Sequence, residues 1–584
     1  CVEVCPTGCL TDKDAQPGDR ERWLLPCKHS CPAGADVPGY IRRIAMRDFD
    51  GAAALIRETL PLANVLGHVC FHLCEYECRR SQVDDAIAIC ALKKFAMESA
   101  SSVQLPEATK APKSGKKVAI VGSGPAGLTA AHFLALKGYD VTVFEAAESP
   151  GGMPARAIPS YRLPQDVLEK DLDAIRRLGV DVKTGHRVDT GKAMVGLLDE
   201  GYHAVLIAVG LPHSKKIDLH GSELDGVYWG LDFLTEAKTG ESIEFGSEII
   251  VVGGGNVAVD VAMTALRLAN PAGATSPPTV RMFCLESREE MPAHAAEIEK
   301  AEAEGIEINP SWGPAAILGD QGKVDGIEFR RCTAVFDEQR KFAPTFDEQQ
   351  RTTVHANVVI LAVGQSPPDD YPAEQDGLFL AGDVTGGQLS IVHAVASGRT
   401  AAERIDKHLG GNGNVLVQLC DHPAPSARIG REESFIPRRR VAVNCRAPAE
   451  RIAGFDEIEG TYSSEQAVAE AQRCLQCDLR LMLDLPTMPP ERWLEFNSAN
   501  VERAPAIDGV FVLANAEKKP VEIKGTADIR AGLVERLDGG AEASFFLWEE
   551  DRMYTKRESE LIQQHLSQYG ELPGGGADEL DDLF

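Results

Sequence analysis

Five cysteines near the start of the chain fall at spacings that packing does not require: Cys27-x3-Cys31-Pro, then Cys70-x3-Cys74-x3-Cys78. Nine of the 15 cysteines precede residue 100. Thiolates repeated at such short intervals are ligands for soft metals, and a 4Fe-4S cluster takes four of them. The segment is therefore predicted to cradle iron–sulfur clusters. Cysteines gathered in a large chain point to metal ligation in a reducing, cytoplasmic compartment, against a secreted disulfide framework.

Glycine carries the second chemistry. In VAIVGSGPAGLTAAHFLALKGYDVTVFE, Gly122, Gly124 and Gly127 sit between an apolar strand and a helix, and Glu145 ends the following strand. The first glycine permits a tight turn, the second lets backbone reach a pyrophosphate, and the third lets helix and strand approach. The carboxylate takes ribose hydroxyls. In IIVVGGGNVAVDVAMTALRL, Gly253, Gly255 and Ala258 hold the same places, with Asn256 beside the turn. The strand after it ends near Glu286, which accepts NAD ribose hydroxyls and would repel a 2′-phosphate. Arg288 lies two residues on and keeps NADPH open, so NADH is favoured over NADPH. Further along, Gly382 and Asp383 follow an apolar strand and precede a helix starting near Ser390. Such a Gly-Asp pair accepts a flavin ribityl hydroxyl, and the helix dipole favours charge on the reduced ring.

These groups need several cores to hold them. At 584 residues the chain predicts roughly three or four domains. The 60 Lys and Arg against 88 Asp and Glu leave a net charge of −28, which argues against nucleic acid as the main partner. No apolar run approaches the ~18 residues of a membrane helix, so no direct membrane insertion is expected. The first residue is Cys in place of Met, so the natural start is expected upstream.

The predicted fold class is α/β, with two Rossmann-like nucleotide-binding domains preceded by a helical iron–sulfur domain and followed by a small α+β domain. The boundaries run 1–20 for a ferredoxin-like fragment, 21–100 for the helical cluster domain and 101–116 for a polar linker. The FAD-binding domain takes 117–245 and 364–410, interrupted by an NAD(P)-binding domain at 246–363. A C-terminal extension with a CxxC covers 411–500, a degenerate module 501–572 and an acidic tail 573–584. The last of these has the composition of a structureless tether.

The ordered set GSGPAGL, GGMPARAIPSYRLP, GGGNVAVD, SREEMPA, AVGQSP and AGDVTGG resembles the small-subunit family of NADPH-dependent glutamate synthase. That family includes the N-terminal half of dihydropyrimidine dehydrogenase and the large subunit of bifurcating transhydrogenases. The resemblance implies an FAD domain of the glutathione-reductase type, an inserted NAD(P) domain and two 4Fe-4S clusters. It adds Pro125, Ala126, Gly152, Met153, Arg162, Gly364 and Ile391 to the cofactor-binding set. The family's double arginine after the second Rossmann strand is Leu285-Glu286 here.

The resemblance also sets a ligand count. Two clusters need eight ligands, and residues 21–100 offer Cys27, Cys31, Cys70, Cys74, Cys78 and Cys90. The family's upstream CxxC is missing, while Cys474 and Cys477 in EAQRCLQCD resemble it. The C-terminal segment is therefore expected to fold back. One cluster would use Cys27, Cys78, Cys474 and Cys477, and the other Cys31, Cys70, Cys74 and either Cys90 or a non-cysteine group. Cys90 lies on an apolar helix face where a thiol also packs as a small hydrophobe. Cys1 and Cys5, with Cys9 nearby, resemble half of a ferredoxin motif and would serve a further cluster. Cys284, Cys332, Cys420 and Cys445 lack partner spacing and read as ordinary thiols.

From Gly509 the chain loosely resembles a GIY-YIG nuclease module, with Arg530 and Glu560 in place but Glu522 where the second tyrosine belongs. A carboxylate cannot replace the phenol, so a docking or purely structural module is expected. The activity expected of the whole is electron transfer between NAD(P)H, FAD, 4Fe-4S clusters and a partner subunit, possible within a bifurcating complex. The alternatives are a glutamate synthase small subunit feeding a glutamine-dependent partner, and a relay scaffold without nicotinamide activity.

Overall fold

The computed structural model describes residues 21–22, 24–100, 110–240, 243, 245–270, 278–387, 389–422, 438–482 and 493–574. Cys1, Cys5, most of the linker and most of the acidic tail lie outside the described residues. Residues 22–479 form one compact unit, and the described residues from Arg480 onward belong to another. The 411–500 extension expected from sequence is thus divided between the two.

In the first unit, buried apolar runs form two parallel sheets. The order in one is Leu378–Leu380, Ala204–Ile207, Lys117–Val121, Asp140–Phe144, Asp181–Lys183. Its register sets Val118 opposite both Val141 and Ala204. The other runs Val227–Trp229, Val358–Leu361, Glu248–Val252, Thr279–Phe283, Glu307–Asn309. The last strand of the first sheet follows the whole second sheet in sequence, so one nucleotide domain interrupts the other. An antiparallel sheet of Trp312–Asp320, Lys323–Phe336 and Phe342–His355 accompanies the inserted domain.

The N-terminal segment is helical because its apolar residues recur at helical spacing and its turns carry caps. Asp36 accepts from Gly39 N at 3.1 Å to start Val37–Ala45, and Asp48 accepts from Gly51 N at 3.0 Å to start Phe49–Arg57. Its core is continuous with that of the first sheet, Ile41, Leu55 and Phe95 belonging to the same buried cluster as Val118 and Phe133. Fully buried Asp171 locks the junction, accepting from Asn64 Nδ2 at 2.7 Å and Val65 N at 3.0 Å, with Arg57 at 3.4 Å. Burial pushes its carboxyl above the usual range, with the Arg57 guanidinium and these bonds acting the other way.

Residues 438–479 cross back over the helical segment as a strap. Glu470 accepts from Ala88 N at 2.9 Å and Val441 N at 2.8 Å, while Arg473 donates to Glu470 at 2.7 Å and Asp84 at 2.9 Å. Both side chains are 0% exposed. Arg440 donates to Glu75 at 2.8 Å, Arg80 to Arg473 O at 3.2 Å, and Arg42 pairs with Asp478. Buried ions of this kind hold only when every partner is present.

The second unit contains an antiparallel sheet in the order Leu494–Glu495, Phe545–Glu550, Gly509–Ala514, Pro520–Thr526. The three residues singled out by the nuclease resemblance each meet a different partner. Glu522 accepts from Arg536 at 2.8 Å, Arg530 donates to Ala504 O at 2.6 Å, and Glu560 accepts from Arg557 at 3.0 Å.

Candidate functional site

At the first glycine turn, Gly122 has φ +106° and a Cβ there would lie 2.4 Å from Ala208 O, so no side chain fits. A Cβ at Gly127 would meet Gly122 O at 2.0 Å, whereas one at Gly124 would meet nothing within 4 Å. Gly124 is thus the open face of the turn, and Pro125 and Ala126 begin the helix Pro125–Leu136 behind it. That leaves backbone N–H groups at a helix start for a diphosphate. Glu145 accepts from Ser123 N at 3.0 Å and Ala147 N at 2.8 Å, which fixes its carboxylate beside the turn.

Gly152, φ +62°, brings a loop across the turn: a Cβ there would be 2.7 Å from Gly124 Cα. Met153 follows, opening the short helix Met153–Arg156. Gly382, φ +78°, abuts Ala126, and burial raises the Asp383 carboxyl above its ordinary range. Ser390 caps the helix Ile391–His408 by accepting from His393 N at 3.2 Å. The glycine turn, the 151–153 loop and Gly382 therefore converge, as an FAD site requires.

The inserted domain repeats the arrangement. A Cβ at Gly253 would strike Ala362 O at 2.3 Å, and one at Gly255 would meet nothing within 4 Å. Asn256 begins the helix Asn256–Leu268 and accepts from His294 N at 3.0 Å, with Ala258 buried behind. Glu286 Oε2 comes within 2.8 Å of where a Gly254 Cβ would be, over the turn. Arg288 is held by Glu302 at 2.7 Å. Gly364, φ +120°, accepts from Lys215 N at 2.9 Å where the chain returns to the FAD domain.

Arg162 is held by an ion pair between domains. Its Nη1 donates to both Asp260 oxygens at 2.7 and 2.8 Å, and Glu297 lies 3.6 Å from Nε. The guanidinium thereby ties the 151–163 loop to the inserted domain. Sequence reasoning missed this, and also missed Phe71, whose ring lies 4.4 Å from that of His294 and joins the cysteine segment to the nicotinamide domain.

The cysteines gather at two cavities. Cys27, Cys78, Cys474 and Cys477 line the first. Cys27 sits in the turn Pro26–His29, and Gln476, at φ +44°, donates its N–H to Cys474 Sγ at 3.4 Å. Burial, then the sulfurs of Cys474, Cys477 and Cys78, push the Cys27 thiol well above its ordinary range. Four thiols so confined resist ionising together unless a cationic core neutralises them, which is what iron in a 4Fe-4S cube does. The donor set fits that group.

Cys31, Cys70 and Cys74 line the second cavity with Tyr40, Lys93 and Val392. Cys90 does not line it. Its Sγ is directed to Gly67 O at 3.4 Å and Leu66 O at 3.7 Å. Val37 lines both cavities, so they share a wall residue. Val392 stands two residues beyond the Ser390 cap, which puts the second cavity next to the FAD site.

Cys284 and Cys332 are buried beside backbone carbonyls, Cys420 is partly buried and Cys445 exposed. His68, Glu98 and Glu457 bring three ligand atoms within 4.8 Å of one another, but the Lys94 ammonium is bound to Glu457 and fills the role of cation. Among the described residues no helix is long and apolar enough to cross a membrane.

Two dinucleotide cradles, one inserted in the other, with paired cysteine cavities beside the flavin end, define a pyridine-nucleotide flavoenzyme carrying 4Fe-4S clusters. Residues 116–398 match the pyridine nucleotide-disulphide oxidoreductase model, and residues 24–105 match the 4Fe-4S cluster domain II of dihydropyrimidine dehydrogenase. The chain is 35% identical to the beta subunit of the NADP(+)-dependent formate dehydrogenase of Moorella thermoacetica, over 77% of this chain and 70% of that one. It is 31% identical to the beta subunit of the NADPH-Fe(3+) oxidoreductase of Geobacter sulfurreducens, over 78% and 75%. Against the NAD-dependent dihydropyrimidine dehydrogenase subunit PreT of Salmonella typhimurium it is 32% identical, over 66% and 91%. The chain belongs to this family of NAD(P)H-dependent oxidoreductases containing FAD and 4Fe-4S clusters, the glutamate synthase small-subunit type.

Proposed function

We propose that this chain takes reducing equivalents from NADH at Gly253, Gly255, Asn256 and Ala258 and hands single electrons to a partner electron-transfer subunit, ferredoxin-like or catalytic. FAD, when bound, supplies the conversion between the two-electron chemistry of nicotinamide and the one-electron chemistry of a cluster. The chain's own residues bind and orient. Gly122, Gly124, Gly127, Glu145, Gly382 and Asp383 hold the flavin; Cys27, Cys78, Cys474 and Cys477 hold one cluster, and Cys31, Cys70 and Cys74 the other. The observation that carries the reading is the continuity of walls: Val392 adjoins the flavin-site helix start, and Val37 is common to both cysteine cavities.

Hydride transfer depends on holding two rings together and needs no acid or base from the protein. The Arg162 to Asp260 pair and the Phe71 to His294 contact support such alignment between domains. Glu286 beside the glycine turn favours NADH, since a 2′-phosphate there would meet a carboxylate. Two of the relatives named above carry NADP(+) or NADPH in their names and the third NAD. Those relatives are named as subunits, which supports a multisubunit assembly, and a bifurcating one fits the same parts.

Anaerobic absorbance titration tests the reading. NADH is expected to bleach the flavin at lower concentration than NADPH, and Glu286→Ser to narrow the gap. Bleaching by NADPH alone would overturn the coenzyme assignment. Bleaching by neither would leave the relay scaffold. Glutamine-dependent glutamate formation with a copurifying partner would favour the glutamate synthase alternative.

A further inference from the structure

Three cysteines do not complete the second cavity, and the remaining charged group in its wall is a lysine. Lys93 lies on the helix Ile89–Ser99 and is 5% exposed. It lines the cavity with Cys31, Cys70 and Cys74. Among the described residues no carboxylate forms an ion pair with it. The next residue behaves in the ordinary way: Lys94 is bound to Glu457 and donates to Glu459 O at 2.6 Å. Two adjacent lysines on one helix have thus been given opposite surroundings.

An ammonium taken out of water without a partner is destabilised, because nothing replaces its lost hydration. A buried, unpaired lysine is tenable when an anion shares its cavity. An oxidised 4Fe-4S core carries two positive charges, so on three thiolates and a neutral fourth ligand the whole is a monoanion, and one ammonium balances it. A fourth thiolate would leave one negative charge over. Cys90 is directed at backbone carbonyls instead.

We propose that Lys93 is the built-in counter-charge of the cluster held by Cys31, Cys70 and Cys74, raising that cluster's reduction potential while the fourth iron takes a ligand other than Lys93. The inference rests on the reading above that this cavity holds a cluster. An added electron makes the cluster more negative, and a fixed positive charge in a low-dielectric wall stabilises that state. Val392 in the same wall makes this the cluster beside the flavin site. Lys93 therefore biases the first one-electron step away from the flavin.

The test compares the whole protein as purified with Lys93→Met, Lys93→Arg and Cys90→Ala, by iron and sulfide content and by potentiometric titration followed by electron paramagnetic resonance. Iron for two clusters in the unaltered protein is the condition set by the functional reading, and its absence would sink that reading and this inference together. Given that iron, Lys93→Met is expected to lower one cluster midpoint and leave the other in place. Lys93→Arg should keep both midpoints, and Cys90→Ala should keep the iron and both midpoints. Should Lys93→Met shed its cluster, Lys93→Gln, polar and uncharged, must show the downward shift. Unmoved midpoints in the uncharged variants, or loss of one cluster's iron from Cys90→Ala, would overturn the proposal while leaving the two-cluster reading intact.

Discussion

Around the first cysteine cavity, two of four sulfurs arrive on a strap from the far end of the folded unit, and that strap is fastened by ions buried completely. Around the second, all the sulfurs come from residues 31–74 and the odd group is a lysine on a helix of the same segment. Val37 lines both. The difference lies in what each site depends on. The first takes sulfurs from the docked residues 438–479; the second takes all of its sulfurs from the helical segment, with Val392 closing its wall.

Breaking the first site should therefore do more than remove iron. Cys474→Ser combined with Cys477→Ser is expected to lose about half the iron, one cluster of two, and to expose residues 438–479 to hydrogen exchange while FAD stays bound. Cys70→Ser combined with Cys74→Ser should lose a similar amount with the strap still protected. Equal loss of strap protection in both pairs would erase the contrast.

A smaller effect is expected from the strap's ions. Arg473→Met leaves Glu470, 0% exposed, without its guanidinium, and breaking such a pair costs about 3–5 kcal/mol. Denaturant unfolding of the holoprotein reads this directly, and a change below ~1 kcal/mol would show the strap to be held otherwise.

The smallest effect is a pH dependence at the strap's outer edge. Burial acts to lower the His68 pKa, but hydrogen bonds to Glu457 and Glu98 carry it from 6.5 up to about 9. A raised folded pKa gives stability that is fully present below pH 6.5 and is lost as pH rises through 9. Hydrogen exchange around residues 445–460 should accordingly quicken between pH 7 and 10, and His68→Gln should flatten that response. An unchanged pH profile in His68→Gln would assign the effect elsewhere, to Lys94 or the other groups that face Glu457.

Much of this was legible in the chain because its signals are local. Gly122, Gly124 and Gly127 carry their own turn, and the interval between Gly382 and Ser390 marks a strand end and a helix start. The meeting of Cys27 and Cys78 with Cys474 and Cys477 followed from counting ligands within a resemblance, with no local signal for the fold-back itself. What stayed hidden has a physical reason. In ALKKFA both lysines look solvent-facing, and only packing sends Lys93 inward and Lys94 to Glu457. Arg162 belonged to a cofactor motif, but the partner that claims it, Asp260, lies on another domain's helix. Buried charges are defined by what surrounds them, and sequence spacing does not carry that.

The strap also imposes an order on manufacture. Cys31, Cys70, Cys74 and Lys93 are all available once the first hundred residues have emerged, whereas Cys27 and Cys78 must wait for Cys474 and Cys477. At about 5–20 residues per second, that wait lasts roughly 20 to 80 seconds. During it two thiols stand open on a nascent helical segment, able to take the wrong metal or oxidise. Iron delivery to this chain thus divides into an early event and a late one, and the late one cannot precede synthesis of Cys474 and Cys477.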